Sequence, residues 1–237
     1  MTKPIKLIIL DAGGVIQPDA ELGAPNQPVL AKISGLSDEE LNAMLSDGGD
    51  VHDGSLPLLN VFQHLAKRLP AGSKYSPEEL LNIYKKGIAH YPGAVQLIWE
   101  LFQAGYHVVL LTNNSDQGLV LTRELLAREQ LSYVRVYGSA EFSMKKPNPK
   151  IFEIVCAEEK VSPEECLFVD DRESNRKTAL QLGMSVIALN TPVLLTDALS
   201  VADHCRQQLI DKKILREANV TIPQSRQISK LIWHCQR

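Results

Sequence analysis

A chain of 237 residues with 44% apolar and 22% charged side chains has the composition of a folded globular protein, long enough for one α/β core and a smaller insertion. Its formal net charge of -3, with basic residues scattered rather than gathered into a stripe, argues against a nucleic-acid partner and for a small-molecule one. The longest apolar runs, such as Val108 to Leu111, have strand length and stop well short of the roughly 20 residues that span a bilayer.

The chain starts Met1-Thr2-Lys3-Pro4 with no secretory pattern, so a cytoplasmic protein is expected. Cys156, Cys166, Cys205 and Cys235 are widely spaced and show no CxxC pairing, so they are expected as reduced thiols rather than a disulfide framework or zinc ribbon. The dipeptides His204-Cys205 and His234-Cys235 lie too far apart to read readily as a zinc site, whose ligands usually come at tighter spacing.

The first predicted element is a strand, Ile5 to Leu10, apolar apart from Lys6 and ending at Asp11-Ala12-Gly13-Gly14. An Asp at the carboxyl end of a buried parallel strand, followed by glycines, is a carboxylate placed where backbone approaches a ligand closely. Such a carboxylate is able to attack phosphorus, although a strand-end Asp also caps ordinary turns.

Residues 16–91 then change character. Ser37-Asp-Glu-Glu40 and Ser76-Pro-Glu-Glu79 have the pattern of capping boxes, the second with Pro77 at the first helical position. Apolar residues recur at helical spacing, as in Leu56, Leu59, Val61, Phe62 and Leu65, and again in Leu80, Leu81 and Tyr84. A helical module springing from the carboxyl end of the first strand is expected to act as a lid, since ligands bind there in such sheets.

A helix is expected from Pro92 to Gln103, then a second strand, His107 to Leu111, followed by Thr112-Asn113-Asn114-Ser115. The Thr112 hydroxyl and the following backbone N–H groups are suited to a phosphoryl oxygen, though Thr-Asn also makes common turns. A third strand, Tyr133 to Tyr137, precedes Lys145-Lys146-Pro147-Asn148-Pro149. Pro147 restricts the backbone of Lys146, and a lysine held stiffly at a site neutralises developing negative charge.

A helix from Asn148 to Glu159 leads to the fourth strand, Cys166 to Val169, which runs into Asp170-Asp171-Arg172. Two adjacent carboxylates gathered near Asp11 repel unless a cation sits among them, and magnesium takes such hard oxygen ligands. A helix from Ser174 to Leu182, ended by Gly183, and a fifth strand, Ser185 to Leu189, complete the alternation. Strands alternating with helices in this way predict a doubly wound parallel sheet, an α/β core. Beyond Pro192 a helix is expected within Thr196 to Ala218, and the tail carries Leu231-Ile232-Trp233, an apolar segment suited to packing on the core or on a second copy.

Asp11, Thr112, Lys146 and Asp170-Asp171, in this order and spacing, resemble the four motifs of the haloacid dehalogenase (HAD) superfamily over residues 5 to 195. The resemblance implies a Rossmann-like core of residues 1–15 and 92–195 and a C1-type helical cap of residues 16–91; outside it, residues 196–237 are expected as a helical extension. It also implies Asp11 as nucleophile and magnesium ligand, Thr112 as phosphate binder and Lys146 as charge neutraliser. Asp171 is implied as metal ligand with Asp170 beside it, the Gly13 carbonyl as a further metal contact, Gly14 and Asn113 at the phosphate, and Asn175 in support.

Relatives that act as phosphatases usually carry a second Asp where this chain has Gly13. That residue serves as acid and base, a contribution of roughly 10²- to 10⁴-fold. Substitute donors are sought among His52, Asp53 and His64. Hydrolysis of a small phosphate monoester such as a sugar phosphate, with Mg2+, is the expected activity. The alternatives are a 2-haloacid dehalogenase, which needs no metal, and a catalytically weak binding or regulatory module.

Overall fold

The computed structural model describes residues 3–18, 27–46, 58–70, 72–87, 90–91, 93–189 and 201–216. Strand β1 (Leu7–Leu10) is buried throughout and lies at the centre of a five-stranded sheet. Its neighbours are β2 (His107–Thr112), β3 (Arg135–Gly138), β4 (Cys166–Asp170) and β5 (Ser185–Ala188), in the order β3-β2-β1-β4-β5. All the pairings are parallel, as near-continuous apolar strands require when both faces are covered. The chain adds strands outward to β3, then crosses back past β1 to β4, so the order reverses at β1 and β4, where ligands bind in open α/β sheets.

Strand periodicity sorts the core into two layers. Ile8, Leu10, Val108, Leu110, Val136, Leu167 and Val169 face one side. There they meet α5 (Ala94–Gln103), α6 (Asp116–Arg128) and α10 (Val201–Asp211) through Leu97, Ile98, Leu119, Leu126, Cys205 and Leu209. Leu7, Ile9, Val109, Leu111, Cys166 and Phe168 face the other, against Ile151, Phe152, Val155 and Cys156 of α8 (Pro149–Glu158) and Ala179 of α9 (Glu173–Gln181). The short α7 (Ser139–Phe142) follows β3. The same parity carries Asp11, two residues beyond Ile9, and Asp170, two beyond Phe168, onto the α8 side.

Between β1 and β2 lie α1 (Gln27–Ser34), α2 (Asp38–Ser46), α3 (Leu58–Arg68) and α4 (Pro77–Lys86). They share a separate core of Leu30, Leu41, Phe62, Leu65 and Leu80. Both expected capping boxes form: the Glu40 N–H donates to Ser37 Oγ at 3.1 Å and the Glu79 N–H to Ser76 Oγ at 3.2 Å, each glutamate accepting in return from the serine N–H. The stems of this module meet at one point, where the Tyr91 N–H donates to the Ile16 carbonyl at 2.8 Å.

The strands fall where the sequence places them, with ends displaced by a residue or two. The first is shorter at its start, and β2 and β4 run one residue further, into Thr112 and Asp170. No helix among the described residues is long and apolar enough to cross a membrane. His52, Asp53, Pro92, Leu231-Ile232-Trp233 and His234-Cys235 lie outside the described residues.

Candidate active site

Register decides which side chains meet. Leu10 pairs with Leu110 of β2 and with Val169 of β4, and the Asp11 N–H donates to the Val169 carbonyl at 2.9 Å. Asp11, Leu111 and Asp170 therefore stand level at the carboxyl edge of the sheet. A slip of one residue in β1 would turn Asp11 to the opposite face.

Lys146 links these strand ends. Its ammonium, 2% exposed as a residue, lies 2.9 Å from Asp11 Oδ2 and 2.9 Å from Asp170 Oδ2, and donates to the Leu111 carbonyl at 2.7 Å. All three donors of the ammonium are thereby used, and the Phe168 ring lies beneath it, 5.4 Å from Nζ to centroid.

Asp170 is enclosed on every side. Oδ1 accepts from the Arg172 N–H at 2.7 Å, the Asn175 amide donates to both oxygens, and Arg176 donates to the Asp170 carbonyl at 2.9 Å. Asp171 is half-buried instead, with its carboxylate against Gly14: a Cβ built on that glycine would stand 2.3 Å from Asp171 Oδ2. Gly14 has φ +71°, so glycine is required there both by backbone conformation and by space. The turn carrying it is closed by the Gly14 N–H to the Gln17 carbonyl and the Gln17 N–H to the Ala12 carbonyl, at 2.9 and 3.0 Å.

Oxygens of Asp11, Asp170 and Asp171 lie within 4.8 Å of one another. Burial raises the pKa of Asp11 well above its ordinary value, and the charges of Asp170 and Asp171 push the same way against Lys146. Asp170 is lowered: burial opposes its charge, but the Lys146 ammonium, the Arg172 N–H and the Asn175 amide outweigh it. Lys146 is raised, because Asp11 and Asp170 more than offset its burial. Three carboxylates against one ammonium leave a deficit of positive charge, which a proton on Asp11 or a divalent cation would fill. The donor set, hard oxygens in a small cluster, fits magnesium.

Thr112 is buried at the end of β2 and opposite Gly138. Asn113 has a task that the sequence did not disclose. Its amide donates to the Lys146 carbonyl at 2.9 Å and its oxygen accepts the Lys146 N–H at 2.8 Å, so both polar ends of the side chain hold the lysine loop. Asn114 is joined to the start of α7, its N–H donating to Ser139 Oγ and its carbonyl accepting from the same hydroxyl. Arg176 and Ser139 were also missed, since neither belongs to a motif and both act on backbone atoms, Ser139 across 25 residues. His64 lies exposed on α3, within the helical module.

The family model described as haloacid dehalogenase-like hydrolase matches residues 5–183. Phosphoglycolate phosphatase of Vibrio vulnificus is 24% identical over 219 residues, 86% of this chain and 95% of that protein. (S)-2-haloacid dehalogenase 4A of Burkholderia cepacia is 27% identical over 115 residues, 48% of each chain. A HAD-family enzyme of Bacteroides thetaiotaomicron, solved with magnesium and inorganic phosphate, superposes with a TM-score of 0.62 at 23% identity, covering 78% of this chain and 93% of that one. With the sheet order, the four motif positions at one edge and a family match across most of its length, the chain belongs to the haloacid dehalogenase-like hydrolases.

Proposed function

We propose that the chain is a magnesium-dependent phosphatase of a small phosphate monoester, such as a sugar phosphate, working through a phosphoryl group carried on Asp11. The observation that carries this reading is the cluster of Asp11, Asp170 and Asp171, with Lys146 bridging the first two. Magnesium held by Asp11, Asp171, the Gly13 carbonyl and Asp170 would supply the missing positive charge beside the nucleophile and the phosphoryl oxygens.

The chain's own groups divide the remaining work. Asp11 attacks phosphorus and the leaving alkoxide departs. Lys146 keeps Asp11 oriented and offsets charge on the transferring group. The Thr112 hydroxyl and the N–H groups after β2 receive phosphoryl oxygens. Since Gly13 offers no acid, the leaving oxygen takes its proton from water, the substrate or the helical module, and a well-placed carboxylate would be worth roughly 10²- to 10⁴-fold. Residues 16–91 serve in this reading as a cap that selects the substrate. A cytoplasmic setting and a small phosphorylated metabolite as partner accord with it, and the name of the Vibrio relative supports a small phosphorylated substrate.

Gly13 and the Burkholderia relative favour a second reading, in which Asp11 attacks the carbon of a 2-haloacid and halide leaves without metal. Asp171 beside Asp11 counts against it, for such chemistry has no use for a third carboxylate. Purified protein is assayed on p-nitrophenyl phosphate, a phosphate-monoester panel and 2-haloacids, with magnesium and with a chelator. Phosphate release that needs magnesium and vanishes in Asp11→Asn is expected. Halide release that a chelator leaves untouched would transfer the assignment to the second reading, and turnover surviving in Asp11→Asn would remove Asp11 from both.

A further inference from the structure

Cys156 and Cys166 take no part in the site, yet their sulfurs lie 3.7 Å apart, buried in the layer beneath β4. The connector between them is fastened along its length. The Val161 N–H donates to the Cys156 carbonyl at 3.0 Å and the Lys160 N–H to the Ala157 carbonyl at 3.2 Å, with Lys160 at φ 56°, which closes α8 in a Schellman turn. Ser162 then shares a capping box with Glu165 ahead of the short 3-10 turn Pro163–Glu165, and Cys166 donates to the Ser162 carbonyl at 3.4 Å. Two thiols delivered face to face by a connector this constrained meet at high effective concentration.

We propose that Cys156 and Cys166 form a modification site, a dithiol that a small peroxide converts into an intramolecular disulfide. One sulfur attacks the peroxide; the O–O bond breaks, the sulfur gives up two electrons and becomes a sulfenic acid, and the departing hydroxide leaves as water with the thiol's proton. The second sulfur then attacks the first: the S–S bond forms, the S–O bond breaks, and the second thiol's proton leaves with that oxygen as a second water. Two thiols and one peroxide become one disulfide and two waters. The sulfurs must close from 3.7 Å to roughly 2.05 Å. Because both thiols are buried, oxidation waits on local opening there, and a small uncharged oxidant is the one that enters. Cys205 is buried alone, with burial pushing its thiol up to about 12, and serves as an internal reference.

The intact folded chain is treated with hydrogen peroxide, unfolded in an alkylating reagent and mapped by mass spectrometry. The expected result is a crosslinked peptide joining Cys156 to Cys166, about 2 Da lighter than its two thiols, restored by dithiothreitol, with Cys205 recovered alkylated. Cys156→Ser and Cys166→Ser each abolish the crosslink, and the wild-type map stands by itself if either variant fails to fold. Recovery of both thiols alkylated under conditions that oxidise glutathione would overturn the proposal, as would either sulfur paired with Cys205 or Cys235, or two separate sulfinic acids.

Discussion

Asp11 stands between opposed influences, burial and two neighbouring carboxylates on one side and Lys146 on the other, so its charge depends on how firmly that lysine is held. The clamp from Asn113 is the clearest lever on Lys146, because it acts on backbone and leaves the ammonium intact. Asn113→Ala should lower kcat by roughly 10²-fold, the scale of a displaced catalytic group, with a smaller change in KM; equal loss in both would make Asn113 a substrate contact instead. Gly14→Ala combines a left-handed backbone with a Cβ directed at Asp171. It should cost about 1–2 kcal/mol from conformation alone and raise the magnesium concentration needed for half-maximal activity, read from urea unfolding and a magnesium titration. Asp11 and Asp170-Asp171 were legible in the chain because each comes at the end of an apolar strand, and Lys146 because it stands before a proline that stiffens its backbone. The Asn113 clamp was not, since its partner stands 33 residues away and only the crossover from β3 brings the two together.

Among the elements, helix starts were the most legible, because a capping box is local chemistry. Ser37 with Glu40 and Ser76 with Glu79 need only partners three positions apart. The attachment of α10 was not legible, since it depends on a pairing across 106 residues: Arg206 Nε donates to Glu100 Oε2 at 2.6 Å, Glu100 being nearly buried on α5. Arg206 also bonds Asp203, and Gln96 donates to Glu100 at 2.9 Å. Arg206→Ala strands the Glu100 carboxylate in the interface and should destabilise the fold by about 3 kcal/mol, within the range for a broken buried pair. Arg206→Ala combined with Glu100→Leu should recover part of that loss. Urea unfolding of the two variants checks the pair, and equal midpoints for Arg206→Ala and wild type would show that α10 is held by its apolar face alone.

At the scale of the molecule, the sheet and the helical module between β1 and β2 have separate cores joined through stems that touch at Ile16 and Tyr91. His90 lies at that junction with both ring nitrogens buried and, among the described residues, without a hydrogen-bond partner. Burial lowers its pKa below the ordinary 6.5, with Glu129 opposing. The folded state thus binds fewer protons here than the unfolded chain, so stability falls as pH drops through 6.5 and the loss is complete below the folded pKa. His90→Phe should flatten the decline in Tm between about pH 7.5 and 5.5, the span in which histidines change charge; an unchanged slope would place the sensitivity elsewhere. The helical spacing of residues 56 to 84 announced the module, but this junction lies in short connecting sequence with no periodic signal.

The contact of Ile16 with Tyr91 also bears on how such a protein can change over generations. Because the outgoing and returning chain already touch, the intervening domain can be exchanged, enlarged or trimmed like a graft on a fixed stock, while the register of β1 against β2 and β4 stays as it is. In the proposed reading, reaction chemistry and the choice of what reacts are thereby inherited on separate pieces of one polypeptide.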